Sequence, residues 1–175
     1  MDRRKIALRL IMDRLQLKLN RFVDRLAVQK SIYLLQILGL DLRYHYSWYL
    51  RGPYSPELTR DAFEICEPRN PIQEVAKRYE LGPHAIQILD AFTKLADECR
   101  PRDIEQPRWL ECLASLHYLL SNTELADTTF ESVFKELVRR KPEFQNEREM
   151  VRQAWACLEE AGLLENHGSS SDMAD

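Results

Sequence analysis

Apolar residues recur every three or four positions along most of this chain and alternate strictly over one short stretch only. Ile6, Leu10, Leu15, Leu17 and Leu19, interspersed with Arg3, Arg4, Arg9, Arg14 and Lys18, predict an amphipathic helix over residues 3–19 with a basic outer face, broken at Asn20. Asp24 is expected to cap a second helix over residues 25–38, ending at Gly39. Ile32, Leu34, Leu35, Ile37 and Leu38 make that helix nearly all core. They leave Gln29, Lys30 and Gln36 as its main polar positions, with Tyr33 three residues beyond Lys30 on the same face.

The alternating stretch is RYHYSWYLRGPYSPELTRD, residues 43–61. Tyr44, Tyr46, Trp48 and Leu50 point one way, and His45, Ser47, Tyr49 and Arg51 the other, which predicts a half-buried strand over 43–51. Gly52 and Pro53 are expected to stop it in a tight turn. Ser55, Pro56 and Glu57 then supply an N-cap, a proline at the first helical position and an acid in the first turn.

Helical spacing resumes from Pro56 and runs to Cys66, and Asn70-Pro71 opens a short helix reaching Tyr79. Ala85, Leu89, Phe92, Ala96 and Cys99 mark a helix after Gly82-Pro83, and Trp109, Leu113, Leu116 and Leu120 another. Thr128 with Glu131 forms a capping box before a helix ended by Pro142. Asn146 with Glu149 opens the last helix, with Gly162 after its end and Leu163 folding back. Residues 165–175 are polar and Gly/Ser-rich, and are expected to be a disordered tail. The expected fold is mainly α, a compact helical domain over 1–164 with a small β strand or hairpin and a winged-helix-like N-terminal part.

Composition changes this picture little: 45% hydrophobic and 30% charged residues in 175 suit a globular core, and no apolar run reaches the length of a membrane span. Charge changes it more. Residues 1–60 carry 12 Lys/Arg against 5 Asp/Glu, and residues 61–175 carry 13 against 23, so +7 and −10 give the net −3. A basic lobe, 1–68, thus precedes an acidic helical lobe, 69–164. The basic lobe would meet nucleic acid, an acidic protein surface, or the acidic half of the chain itself. The start of the chain lacks a secretory pattern, and Cys66, Cys99, Cys112 and Cys157 are too scattered for zinc or a disulfide framework; a cytoplasmic protein with free thiols is expected.

Catalytic signatures are sparse. None of His45, His84, His117 and His167 belongs to a metal motif, and the five glycines form neither a phosphate loop nor a nucleophile elbow, so no catalytic residue, metal or cofactor is assigned. Arg78 and His84 have RxxxxxH ribonuclease spacing, but Leu81-Gly82-Pro83 breaks the helix such a pair needs. Glu57, Asp61 and Glu64 could share one helical face, where acids early in a helix normally meet the dipole and solvent. An acid-base reading of Glu57 and Asp61 with His45 requires the fold to bring them together. Aromatic residues beside Arg43 and Arg51 instead make His45, Tyr49, Arg51 and Tyr54 candidates for partner binding.

The segments AVQKSIYLLQ (27–36) and WYLRGPYSPEL (48–58) resemble the Panacea (SocA-like) family and its YwgA-like prokaryotic relatives. Those proteins carry a KLQKLLY-type helix and then a strand ending in a YGP-x-x-PEL turn. Gln29, Lys30 and Tyr33 match the helix motif, and Gly52, Pro53, Pro56, Glu57 and Leu58 match the turn motif. Ala27 stands where the first Lys is common, and Leu50-Arg51 replaces the residues usual before Gly-Pro; beyond residue 66 only the helical layout is similar. The resemblance implies a non-enzymatic binding module of a toxin-antitoxin or phage-defence system, acting as antitoxin, adaptor or regulator on a protein partner. Gln29, Lys30 and Tyr33 would support its turn from behind. The alternative from charge is a winged-helix-like DNA-binding regulator whose wing tip is Arg51-Gly52-Pro53, binding nucleic acid through the basic N-terminal helices.

Overall fold

Two helices with unbroken buried runs form the centre of the molecule. In the computed structural model, which describes residues 2–164, α2 (Phe22–Ile37) is buried throughout 28–35 and α6 (Gln106–Asn122) throughout 109–116; these two pack along each other. A helix buried on all sides belongs inside a bundle. Around them lie α1 (Arg3–Arg14), α3 (Pro56–Cys66), α4 (Pro71–Ala76), α5 (Pro83–Thr93), α7 (Phe130–Arg140) and α8 (Arg148–Glu160). Among the described residues the only sheet is a hairpin of β1 (Ser47–Tyr49) and β2 (Gly52–Tyr54). The mainly α fold is therefore as the spacing predicted. One apolar cluster draws on α1, α2, α3, α5, α6, α7 and α8, so the core does not divide at residue 68. No helix among the described residues is long and apolar enough to cross a membrane.

Helix ends account for most differences from the sequence reading. The first helix stops at Arg14, not near Leu19, because Gln16 turns left-handed (φ 53°) and the Leu17 N–H bonds the Met12 carbonyl (2.8 Å) in a Schellman closure. Gly39 and Gly162 close α2 and α8 the same way, as expected at both. Asp24 is not the cap of α2. It lies at the third helical position, and its carboxylate accepts the Arg21 N–H (2.9 Å), so the helix begins earlier, at Phe22. Ser55 and Asn70 cap α3 and α4 as read, although α4 ends at Ala76. Thr129, one residue beyond the expected Thr128, caps α7, while Glu131 reaches across to Arg148 and Arg152. A 3-10 segment (Pro142–Glu147) precedes α8 where the last helix was expected to have begun. Residues 77–82 are indeed non-helical, so Arg78 and His84 do not share a helix, and the expected tail over 165–175 lies outside the described residues.

The strand differs in extent and in its turn. Alternation of exposed and covered side chains holds from Leu42 to Tyr49, but only Ser47–Tyr49 pairs; 41–46 has no partner strand, and Arg43 within it is left-handed (φ 57°). Leu50 does not continue the inner face. It and Arg51 form the two-residue turn, and Gly52 and Pro53, expected to end the strand, form the second strand, with Trp48 opposite Pro53 and Tyr49 opposite Gly52. Gly52 has φ +87°, the left-handed residue that lets an ordinary tight turn rejoin a ladder. A proline fits β2 because this strand has a free edge.

Candidate functional site

A strand pair this short cannot hold itself in place, and α2 supplies the support. Gln29 and Gln36, seven residues apart and so on one face, each grip both backbone groups of one residue. Gln29 Nε2 donates to Ser55 O and its Oε1 accepts the Ser55 N–H (both 2.9 Å); Gln36 does the same to Tyr44 (3.0 and 2.9 Å). Between them Lys30 Nζ donates to Pro53 O (2.5 Å). Both ends of segment 44–55, with Pro53 just before the second end, are thus fastened to one helix. Tyr33 bonds His117 Nδ1 on α6 (2.8 Å) and meets Tyr46 edge-on, while Trp48 packs against Tyr118. The role of Gln36 escaped sequence reading; the available signal was its seven-residue spacing from Gln29 on an otherwise apolar helix.

The acidic face of α3 is turned inward. Asp61, 1% exposed, accepts from Arg4 Nη2 (2.9 Å) and from the Tyr44 hydroxyl (3.1 Å), while Glu57 pairs with Arg4 and Glu64 with Lys5 (both 2.7 Å). Glu57, Asp61 and Glu64 share a face as the spacing implied, but α1 covers that face where solvent was expected. Burial and Asp61 push the Tyr44 phenol upward. Neither carboxylate bonds His45, which is exposed. Part of the basic excess of the first sixty residues is therefore neutralised within the molecule.

With its inner face fixed, the hairpin turns its outer face to a cleft of about 520 Å³ between the start of α2, the hairpin and α3. Tyr49 and Tyr54 lie ring against ring on one wall (centroids 5.6 Å apart), and Phe22 and Phe63 stand on others. Arg25, Arg51 and Lys30 also line it; His45 does not. Leu50 at the tip is 77% exposed and Tyr49 59%. Pro56 starts α3 at the surface behind this wall. Of the candidate partner-binding residues, Tyr49, Arg51 and Tyr54 come together, and Phe22, Arg25 and Phe63 join them from distant sequence.

Lys30 sits at the bottom, 1% exposed. Burial, reinforced by the nearby Lys141 cation and opposed by Glu111, pushes its amine down to about 7. Lys141 has Glu111 as a direct partner, and Arg108 pairs with both Glu111 and Glu147, so α6 and the end of α7 are joined by a buried ionic cluster beneath the hairpin. A second cleft of about 850 Å³ on the other side of Arg51 carries mixed charge, with Arg21 and Lys18 facing Glu105 and Glu143. Among the described residues no group of three or more His, Cys, Asp or Glu is arranged to hold a metal ion, and all four cysteines are free. Compared with family models, with curated proteins and with solved structures, the chain matches none, so a functional reading rests on the geometry of the site.

Proposed function

We propose that this chain is a non-enzymatic protein-binding module that captures a partner polypeptide on the rim of the hairpin cleft. The observation that carries the reading is the clustering of exposed apolar side chains. Phe22, Val23, Tyr49, Leu50 and Phe63, five of the seven large hydrophobics exposed among the described residues, flank this cleft or the one beside it. Single exposed leucines are ordinary, whereas such a group beside a cleft is what a partner covers. Arg25 and Arg51 on the same rim select a partner segment that is apolar and acidic. The family resemblance supplies the setting: an antitoxin, adaptor or regulator of a toxin-antitoxin or defence system. Such a module works in the cytoplasm, where its thiols stay reduced.

The test is an affinity pull-down of the tagged protein from its native host, with and without nuclease, beside the variants Tyr49→Ala and Leu50→Asp. One nuclease-resistant protein, lost from both variants while their melting temperatures hold, is the expected result. Variants that unfold would make the hairpin tip structural. The alternative, a DNA-binding regulator, is favoured by the unpaired Arg51 at the tip of a wing-like hairpin, but Arg4, Lys5, Arg9 and Arg21 are already engaged with carboxylates. It predicts retention of DNA whose affinity falls by about 0.9 log unit per log unit of salt for each phosphate neutralised.

A further inference from the structure

The cleft lining also poses a problem of charge. Three cationic side chains, Arg25, Lys30 and Arg51, line it together with no acidic one. None of the three has an ion-pair partner among the described residues, whereas Lys141 beneath them has Glu111. Lys30 is the informative case. Its ammonium offers three N–H donors, and the Pro53 carbonyl is the acceptor it has found. Nearby, the Ser115 hydroxyl is buried without a hydrogen-bond partner, against the face of Gly52 that carries no side chain. A buried cation without a counter-charge is costly, and an anion entering the cleft would supply one.

The walls say what kind of anion. Phe22, Tyr49, Tyr54 and Phe63 present ring surface, and about 520 Å³ is the volume of a small-molecule site. A single charged head on an apolar body satisfies both the floor and the walls, whereas a phosphate would surrender more hydration among those rings. We propose that the cleft binds a carboxylate carried on an apolar body, the acid meeting Lys30 and Arg51 and the body lying between the aromatic rings. The carboxylate belongs either to a free organic acid or to the C-terminus of a polypeptide. The site shares Tyr49 and Arg51 with the partner-capture rim, and titration of the isolated chain tests it without any partner.

Binding is then linked to protons. Below about pH 7 the Lys30 amine is charged before the ligand arrives, and affinity is flat; above it, the ligand must draw in a proton, and affinity falls by up to about tenfold per pH unit. The charged groups that bear on Lys30 are Lys141 and Glu111 beneath it and Arg25 and Arg51 within the cleft, with the Tyr49 and Tyr54 phenols on the wall.

The experiment is calorimetric titration of the full chain with octanoate and 2-naphthoate, with octanamide and 2-naphthamide, and with a Leu-ended tetrapeptide bearing a free or an amidated C-terminus. Titrations are made at pH 6.5 and 8.5 in two buffers of different ionisation enthalpy. The expected result is that acids bind, their amides bind at least about tenfold more weakly, protons are taken up at pH 8.5, and Lys30→Met and Arg51→Gln each weaken the acids by about tenfold. Arg51 is exposed, so its variant reports on the site even if Lys30→Met disturbs the hairpin. Binding of the free acids identifies a small-molecule source, and binding of the free-terminus peptide alone a polypeptide source. Equal affinity for acid and amide, no binding of any carboxylate at millimolar concentration, or acid binding indifferent to Arg51→Gln would overturn the proposal.

Discussion

Single residues decide whether the hairpin exists. Gly52 combines φ +87° with a neighbour that leaves no room: a Cβ there would stand 2.5 Å from the buried Ser115 Oγ. Gly52→Ala should therefore destabilise the protein by about 2–3 kcal/mol in urea melts, adding backbone strain to a clash that the packed α6 face cannot relieve. The two glutamines act differently, by satisfying backbone groups. Gln29→Leu strands the buried N–H of Ser55, whose carbonyl keeps the Thr59 N–H, and is expected to lower stability by about 1–3 kcal/mol. Gln36→Leu should cost less, because its hydrogen bonds to Tyr44 are only partly buried and water can take their place, with Asp61 still holding the ring hydroxyl. A Gln36 variant as damaging as the Gln29 one would remove that ranking.

Among the elements, α1 docks on α3 through charge as well as through apolar packing. Asp61→Ala leaves Arg4 and the Tyr44 hydroxyl without their buried acceptor and should cost about 3 kcal/mol, whereas Glu64→Ala, at a wetter edge of the same face, should cost under about 1 kcal/mol. Helix α7 carries the clearest pH signature. Hydrogen bonds from Arg139 and then Arg140 hold the Glu136 carboxyl down at about 2, below its ordinary 4.5. The folded state thus favours the ionised form: the stabilisation is complete above about pH 4.5 and disappears as pH falls through about 2. Since Arg139 is two-thirds in solvent, about 1 kcal/mol is a fair magnitude. Glu136→Gln should lose that much at pH 6 and nothing below pH 2, a convergence that urea melts across the range would show or refute.

For the whole molecule, the basic and acidic stretches of sequence do not become separate bodies. Buried residues from both sides of residue 68 form one cluster, centred on the α2–α6 pair. Thermal unfolding should accordingly be a single transition, with tryptophan fluorescence from Trp48, Trp109 and Trp155 coinciding with loss of helical circular dichroism. Two resolved transitions would mean that the lobes fold independently. The charge asymmetry survives folding only in part: Arg4 and Lys5 are neutralised by α3, while Arg25 and Arg51 beside the cleft have no carboxylate partner among the described residues.

The sequence by itself determined the helices, the caps at Ser55 and Asn70, the Schellman ends at Gly39 and Gly162 and the alternation from Tyr44 to Tyr49, because each depends on residues within about four positions of one another. It also marked Gln29, Lys30 and Gly52 as special, though not what they do. Tertiary structure decided the rest. Gln16 could be seen as the end of α1 only once the chain had turned left-handed there; Asp61 became a buried acceptor only when α1 was laid across α3; Phe22 and Phe63 became cleft walls only when two helices converged on the hairpin. Lys30 looks like one polar position on an apolar helix until α6 and β2 close around it and remove the water that would have kept its amine an ordinary one. Local spacing fixes hydrogen bonds along the backbone, but burial and charge neighbours belong to whatever the fold brings alongside.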